Sequence, residues 1–330
     1  MNDAANALQW FLNKNGSPFK AADSVAIVNA QPGAFLKTLG NPVMIQGFFP
    51  DFTACQKAGF ETLVQMDDRP LRGAVLFGSK HKEENLFYLA ALADRLEPGG
   101  TLIAVAPKDL GGKTLAKNAA ALLGGGTGEN KHHCTVFMGT KQSPIDPVWL
   151  SLGEPKQIEG GYFTVPGIFC HDHIDTGSKL LFGALETQLI GPKVADLGAG
   201  WGYLSGELLK SRPQIESLTL FEADFAAVRM ARLNITDPRA AFEWCDVTAG
   251  VGQNRFDTVV MNPPFHAKAA ASMELGQSFI RAAFSALKNG GTLYLVANRH
   301  LPYEATLETL FAQVTVLRDE RGFKVISARR

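Results

Sequence analysis

The sequence predicts an α/β protein made of two tandem units, each a doubly wound and mostly parallel sheet. Three observations carry that expectation. A chain of 330 residues, 46% hydrophobic and 19% charged, suits two globular domains with cores of their own. Short apolar runs alternate with amphipathic segments, the rhythm of β-α-β units. Finally, two stretches repeat one pattern. Residues 73–106 (GAVLFGSK…LAALADRLEPGGTLIAVAP) and 256–298 (FDTVVMNPPFH…IRAAFSALKNGGTLYLVAN) each run from an apolar strand through an irregular loop and an amphipathic helix. In both, Gly-Gly-Thr-Leu then opens a second apolar strand. The Gly-Gly pair reads as a helix stop, and the repetition as an internal duplication.

The boundary is expected within residues 139–167, which are rich in Pro and Gly and lack a sustained period. That gives domains 1–150 and 151–330, with GYFTV (161–165) as a short strand in the linker. In the second domain PKVADLG reads as a strand, followed by a glycine-rich turn and a helix from about Tyr203. SLTLFEAD, AAFEWCD, FDTVVMN and GTLYLVAN read as further strands, and AAVRMARLNI as a helix. In the tail, two β-rich runs flank DERG and predict an antiparallel hairpin. The sum is a seven-stranded, Rossmann-like sheet with a reversed edge.

Composition narrows the function. Lys plus Arg and Asp plus Glu number 32 each, so no global basic field announces a nucleic acid. From Pro264 to the C-terminus nine Lys or Arg face five acids, a local excess compatible with phosphate contacts and equally with a solvated face. The four cysteines stand far apart without a Cys-x-x-Cys pair, which argues against zinc and for a reducing, cytoplasmic setting. His171 and His173 flank Asp172 but have no further ligand at metal spacing. The N-terminus shows neither a signal peptide nor a membrane span. GGKTLAKN (111–118) lacks the first glycine of a phosphate loop and reads as a helix-capping loop.

Chemistry gathers in VADLGAGWGYLS, residues 194–205. Asp196 ends a strand, and Gly198, Gly200 and Gly202 let the backbone approach a ligand closely. The spacing fits the dinucleotide fingerprint poorly. An Asp two residues before the first Gly suits instead a cofactor with an amino acid end, whose ammonium it can reach or whose loop it can order. Glu222 ends the second strand, where a carboxylate can accept both ribose hydroxyls. Asp246 ends the third, where one can meet an adenine amine. After the fourth strand comes Asn262-Pro263-Pro264-Phe265.

Asp-x-Gly-x-Gly, Glu222, Asp246 and NPPF together resemble class I S-adenosylmethionine-dependent methyltransferases, over about residues 160–330. The resemblance implies that Asp196, Gly198, Ala199, Gly200, Glu222, Asp246, Val247 and Asn262 hold S-adenosylmethionine. It implies that Asn262 and Pro263 accept the N–H groups of a planar amine, that Pro264 stiffens the loop, and that Phe265 stacks on the acceptor. His266 either removes the proton after transfer or serves as a loop residue. PGIFCHDHIDTGSKLLF, VANRHLPY and RGFKV are similar to segments of the bacterial ribosomal RNA guanine-N2 methyltransferases, foremost the small-subunit (16S) type. There Phe169, Asp175, Gly177 and Ser178, with His266, enclose cofactor or substrate. Two departures stand out: Cys170 where serine is expected, and an added Trp201 beside the glycine loop.

The implied partner is ribosomal RNA within an assembled or assembling small subunit, with no DNA and no membrane. Large-subunit guanine methylation, protein-glutamine methylation and non-catalytic RNA binding are the alternatives. The first half has FGSKH (77–81) where the second has NPPFH and lacks Asp-x-Gly-x-Gly. It reads as a degenerate methyltransferase-like domain that supports folding or positions RNA.

Overall fold

Short apolar runs, buried along most of their length, form the central strands of the two sheets. The computed structural model describes residues 3–264 and 269–330 and divides into two units, one ending at Glu154 and one starting at Pro155. The first holds β1 (Ser24–Val28), β2 (Asn41–Ile45), β3 (Glu61–Leu63), β4 (Leu71–Phe77), β5 (Leu96–Pro107), β6 (Thr127–Lys131) and β7 (Cys134–Thr140). Its helices are α1 (Asp3–Asn15), α2 (Phe49–Lys57), α3 (Lys82–Arg95) and α4 (Gly112–Leu123). The second opens on a two-stranded ribbon, β8 (Lys156–Gln157) and β9 (Phe163–Thr164). Then come β10 (Lys193–Leu197), β11 (Ser217–Glu222), β12 (Ala240–Trp244), β13 (Phe256–Met261), β14 (Leu287–Asn298), β15 (Gln313–Glu320) and β16 (Phe323–Arg329). They are crossed by α5 (Thr176–Leu185), α6 (Tyr203–Ser211), α7 (Phe225–Asn234), α8 (Ala269–Ala286) and α9 (Glu304–Leu310).

Both sheets are seven-stranded and share one topology: β3-β2-β1-β4-β5-β7-β6 and β12-β11-β10-β13-β14-β16-β15. Five strands are parallel, and the last two add an antiparallel edge. Helices cover both faces, so the central strands are apolar throughout rather than alternating. In β10, Val194, Ala195 and Leu197 are fully buried, and so is the polar Asp196 at 2% exposure.

The Gly-Gly pairs do not end helices. α3 stops at Arg95 and α8 at Ala286, and Leu96 and Leu287 already pair with Leu71 and Phe256. The glycines lie inside the strand segments, where the register against the neighbouring strand shifts. Gly99 and Gly290 take φ of +79° and +78°. A Cβ on Gly100 or Gly291 would sit 3.0 Å from a backbone carbonyl, of Glu97 and of Asp257 respectively. The pair therefore makes a bulge in each unit, and the repeated geometry is that of a duplicated fold.

In the parallel sheet the carboxyl ends of β10, β11, β12 and β13 lie side by side. The topological switch between β10 and β13 opens a crevice there, the place where such sheets bind ligands.

Candidate functional site

The glycine loop after β10 is tied to the next strand from both directions. Gly198 and Ala199 donate their N–H groups to the Phe221 carbonyl at 2.8 and 3.1 Å. Gly200 donates its N–H to Glu222 Oε2 at 2.7 Å. Glu222 Oε1 accepts from the N–H groups of Ala223 and Asp224 at 2.7 and 2.8 Å. Gly200 has φ +56°, and a Cβ there would meet nothing within 4 Å, so this part of the loop faces open space. Gly202 has φ +90°, and a Cβ would come 2.9 Å from Ile235 and 3.3 Å from Ala231. That glycine lets the loop lie against α7.

Two carboxylates sit beneath this loop. Asp196 Oδ2 accepts from the Ser205 hydroxyl of α6 at 2.6 Å. Burial raises its pKa to about 7, opposed by the Ser205 bond and reinforced by the charge of Glu222. Burial also raises Glu222, against the N–H groups that stabilise its charge. Buried acids aimed at a crevice mark a site prepared for a cation or for hydrogen-bond donors.

Asn262 follows β13 directly. Its Nδ2 donates to Asp175 Oδ2 and to Ser178 Oγ, both at 2.8 Å. Asp175 is the N-cap of α5, and the same Oδ2 accepts the Ser178 N–H at 2.7 Å. Asn262 Oδ1 is buried and accepts no hydrogen bond from any described residue. A buried amide oxygen without a donor costs free energy unless a ligand supplies one.

Most of these residues line one crevice, and Glu222 lies outside its lining. Its lining includes Phe169, Asp175, Ser178, Asp196, Gly198, Ala199, Gly200 and Asn262. Gly177 lies in the first turn of α5. Asp246 and Val247 lie at the end of β12, outside this lining. Asp246 Oδ1 accepts from the N–H and hydroxyl of Thr248 at 2.8 and 2.6 Å and caps a short 3₁₀ turn. Pro263 is buried and Pro264 exposed. Phe265 and His266 lie outside the described residues.

Cys170, Trp201 and Tyr203 also line the crevice. Trp201 is 4% exposed, and its indole N–H donates to the Phe169 carbonyl at 3.1 Å. Asn234, the last residue of α7, donates to the Trp201 carbonyl at 2.9 Å and bonds both backbone groups of Phe163 at 2.7 and 2.9 Å. The added tryptophan is thus an anchor for the lip that carries Phe169. Cys170 has φ +47°, and burial pushes its thiol up to about 12, with the charge of Asp175 adding to the effect. His173 Nδ1 pairs with Asp172 at 2.6 Å on the surface. Among the described residues no three His, Cys, Asp or Glu side chains form a group that could hold a metal. No described helix is long and apolar enough to cross a membrane.

Residues 160–327 match the model of the methyltransferase small domain family. The chain belongs to that family. Several of its relatives carry the name ribosomal RNA small subunit methyltransferase C. The one from Pseudomonas aeruginosa is 33% identical over 264 residues, 78% of this chain and 79% of the relative. That from Chromohalobacter salexigens is 32% identical over 311 residues, 89% and 90%. That from Shewanella loihica is 30% identical over 268 residues, 78% and 76%. Among solved structures, a T. thermophilus 16S rRNA N2 methyltransferase in complex with AdoMet and guanosine superposes with a TM-score of 0.81 at 24% identity. That match covers 98% of this methyltransferase-family chain and 92% of the other, and shows the common fold.

Proposed function

We propose that this protein transfers a methyl group from S-adenosylmethionine to the exocyclic N2 amine of a guanine in 16S ribosomal RNA. The observation that carries the reading is Asn262 Oδ1, a buried acceptor without a described donor at the carboxyl end of β13. An aromatic amine is a poor nucleophile because its lone pair is delocalised into the ring. Asn262 Oδ1 accepts one of its N–H groups, and the Pro263 carbonyl accepts the other. Together they draw the nitrogen towards tetrahedral geometry and free the lone pair. Pro263 and Pro264 restrict the backbone that carries both acceptors, which favours a reactive alignment.

The crevice fits the cofactor. Gly200 leaves open space where a side chain would stand. Asp196 supplies a buried carboxylate for an ammonium group, and Glu222, held by three N–H groups, supplies one for ribose hydroxyls. Asp246, with Val247 beside it, keeps Oδ2 for an adenine amine while Oδ1 caps its turn. When bound, S-adenosylmethionine supplies an electrophilic methyl on sulfonium. The rRNA substrate, and the small subunit in particular, are supported by the names of the relatives.

The test is radiolabelled methyl transfer to undermethylated 30S and 50S particles, followed by nucleoside analysis. The expected product is N2-methylguanosine in 30S RNA. Label in 50S RNA alone, in methyladenosine, or in a glutamine side chain would replace this reading with another.

A further inference from the structure

We infer that Asp175 is a positioning residue for methyl transfer, fixing the Asn262 amide so that Oδ1, and not Nδ2, faces the crevice. The inference rests on the proposed amine chemistry and goes beyond it. An asparagine amide has two ends of opposite character, and its torsion has two broad wells related by a flip. Only one of them presents an acceptor. In the other, two N–H donors would meet the donors of the substrate amine, and the site would repel what it must bind.

The sequence puts nothing on β13 itself that selects between the two. Selection comes from α5, 84 and 87 residues away in the chain. Asp175 Oδ2 is already committed as an acceptor by the Ser178 N–H at 2.7 Å. Asn262 Nδ2 reaches that same oxygen at 2.8 Å. Flipping the amide would place its carbonyl oxygen where Nδ2 stands, acceptor against acceptor in a part-buried setting, with no proton between them. Ser178 Oγ cannot enforce the choice alone, because a hydroxyl both donates and accepts. The carboxylate is the one-way partner, and it is held in place by its own role as helix cap. Capping and catalysis are thereby joined: the turn that starts α5 also sets the polarity of the crevice.

The test compares Asp175→Asn with Asp175→Ser in the full chain. Both residues are good N-caps, so helix α5 keeps its start in each. Asparagine retains a carbonyl oxygen that accepts from Ser178 and Asn262 together. Serine offers only a hydroxyl, which lets the Asn262 amide turn. The expected result is a kcat about tenfold lower for Asp175→Ser, with S-adenosylmethionine affinity and thermal midpoint near those of the wild type. Asp175→Asn should recover to within about threefold of wild-type kcat. A second measurement does not depend on which amine is methylated. Selective 15N-asparagine labelling, assigned with Asn262→Ser, reads hydrogen exchange of the Asn262 side-chain amide. Slow exchange is expected in the wild type and Asp175→Asn, and fast exchange in Asp175→Ser. Equal kcat for the two variants, or equal exchange in all three proteins, overturns the positioning role. Slow exchange together with a wild-type protein inert towards guanine would overturn the substrate reading and leave the positioning role standing.

Discussion

In the proposed chemistry Asn262 acts through one atom, Oδ1, and its removal is expected to leave a distinct signature. On that proposal Asn262→Ala deletes the group that acts on the amine in the transition state, so kcat should fall by about 10²–10³. S-adenosylmethionine affinity should stay nearly intact, because the glycine loop, Asp196 and Glu222 are unchanged. Single-turnover assays and isothermal titration separate the two, and near-normal turnover would remove Asn262 from the mechanism. Asp196 has a different signature, written in pH. Burial raises its carboxyl from 3.8 to about 7. Between those values the unfolded chain gives up this proton while the folded chain keeps it. Stability from this group is therefore full below about pH 4, falls as pH rises to 7, and is level above. Asp196→Asn cannot ionise and can still accept from Ser205. Its thermal midpoint relative to wild type should rise across that window and then level off. A constant offset from pH 4 to 8 would show that Asp196 is ionised when folded throughout.

At the scale of the element, the loops decide the site and the strands merely deliver them. Asn234 is the best example. One side chain closes three hydrogen bonds, two to the backbone of Phe163 in β9 and one to the Trp201 carbonyl in the glycine loop. Asn234→Ala leaves those groups unmatched, at a cost of about 1–3 kcal/mol. It should lower the denaturant midpoint followed by tryptophan fluorescence and raise the KM for S-adenosylmethionine more than it changes kcat. An unchanged KM would separate this staple from the crevice. Much of the fold was legible in the sequence because buried parallel strands are short, continuous apolar runs. The terminal hairpin was legible from two β-rich runs around DERG. The glycine loop was legible because Gly198, Gly200 and Gly202 all take positive φ. The Gly-Gly pairs read as helix stops and are bulges, since glycine alone does not distinguish the two. Asn234 carries no local sequence signal, because its partners lie 71 and 33 residues away. Trp201 looked like an insertion beside the loop, and only its bond to Phe169 shows what it holds.

At the scale of the whole molecule, the two units carry one topology with different residues at the carboxyl ends of their strands. Register fixes the correspondence. Val28 pairs with Ile45 and Leu76 as Leu197 pairs with Phe221 and Met261. Asn29 thus stands for Gly198, Gln46 for Glu222 and Phe77 for Asn262. The backbone remembers the loop: Asn29 has φ +59°, and its N–H donates to the Ile45 carbonyl at 3.1 Å, as Gly198 does to Phe221. The chemistry does not persist. Gln46 is a neutral amide whose Oε1 accepts from the Phe48 N–H at 3.2 Å. Phe77, 6% exposed, belongs to an apolar cluster with Ala30, Cys55 and Phe60 and offers no side-chain acceptor. The first unit is therefore expected to bind no S-adenosylmethionine, and full-length protein should titrate with one cofactor per chain. Glu222→Ala should weaken that single event, leaving ribose hydroxyls unmatched at about 1–3 kcal/mol. A second binding event that survives in Glu222→Ala would place a working site in the first unit. The first unit should nonetheless matter for RNA. A chain of zero net charge gains little from long-range attraction to phosphate and must rely on shape and contact area. Each unit has apolar clusters of its own, so residues 155–330 are expected to fold alone. That fragment should bind S-adenosylmethionine like the full chain and methylate 30S particles far more slowly. Full RNA activity in the fragment would assign the first unit no part in positioning the substrate. Lost cofactor binding in a folded fragment would instead show that the first unit shapes the crevice itself.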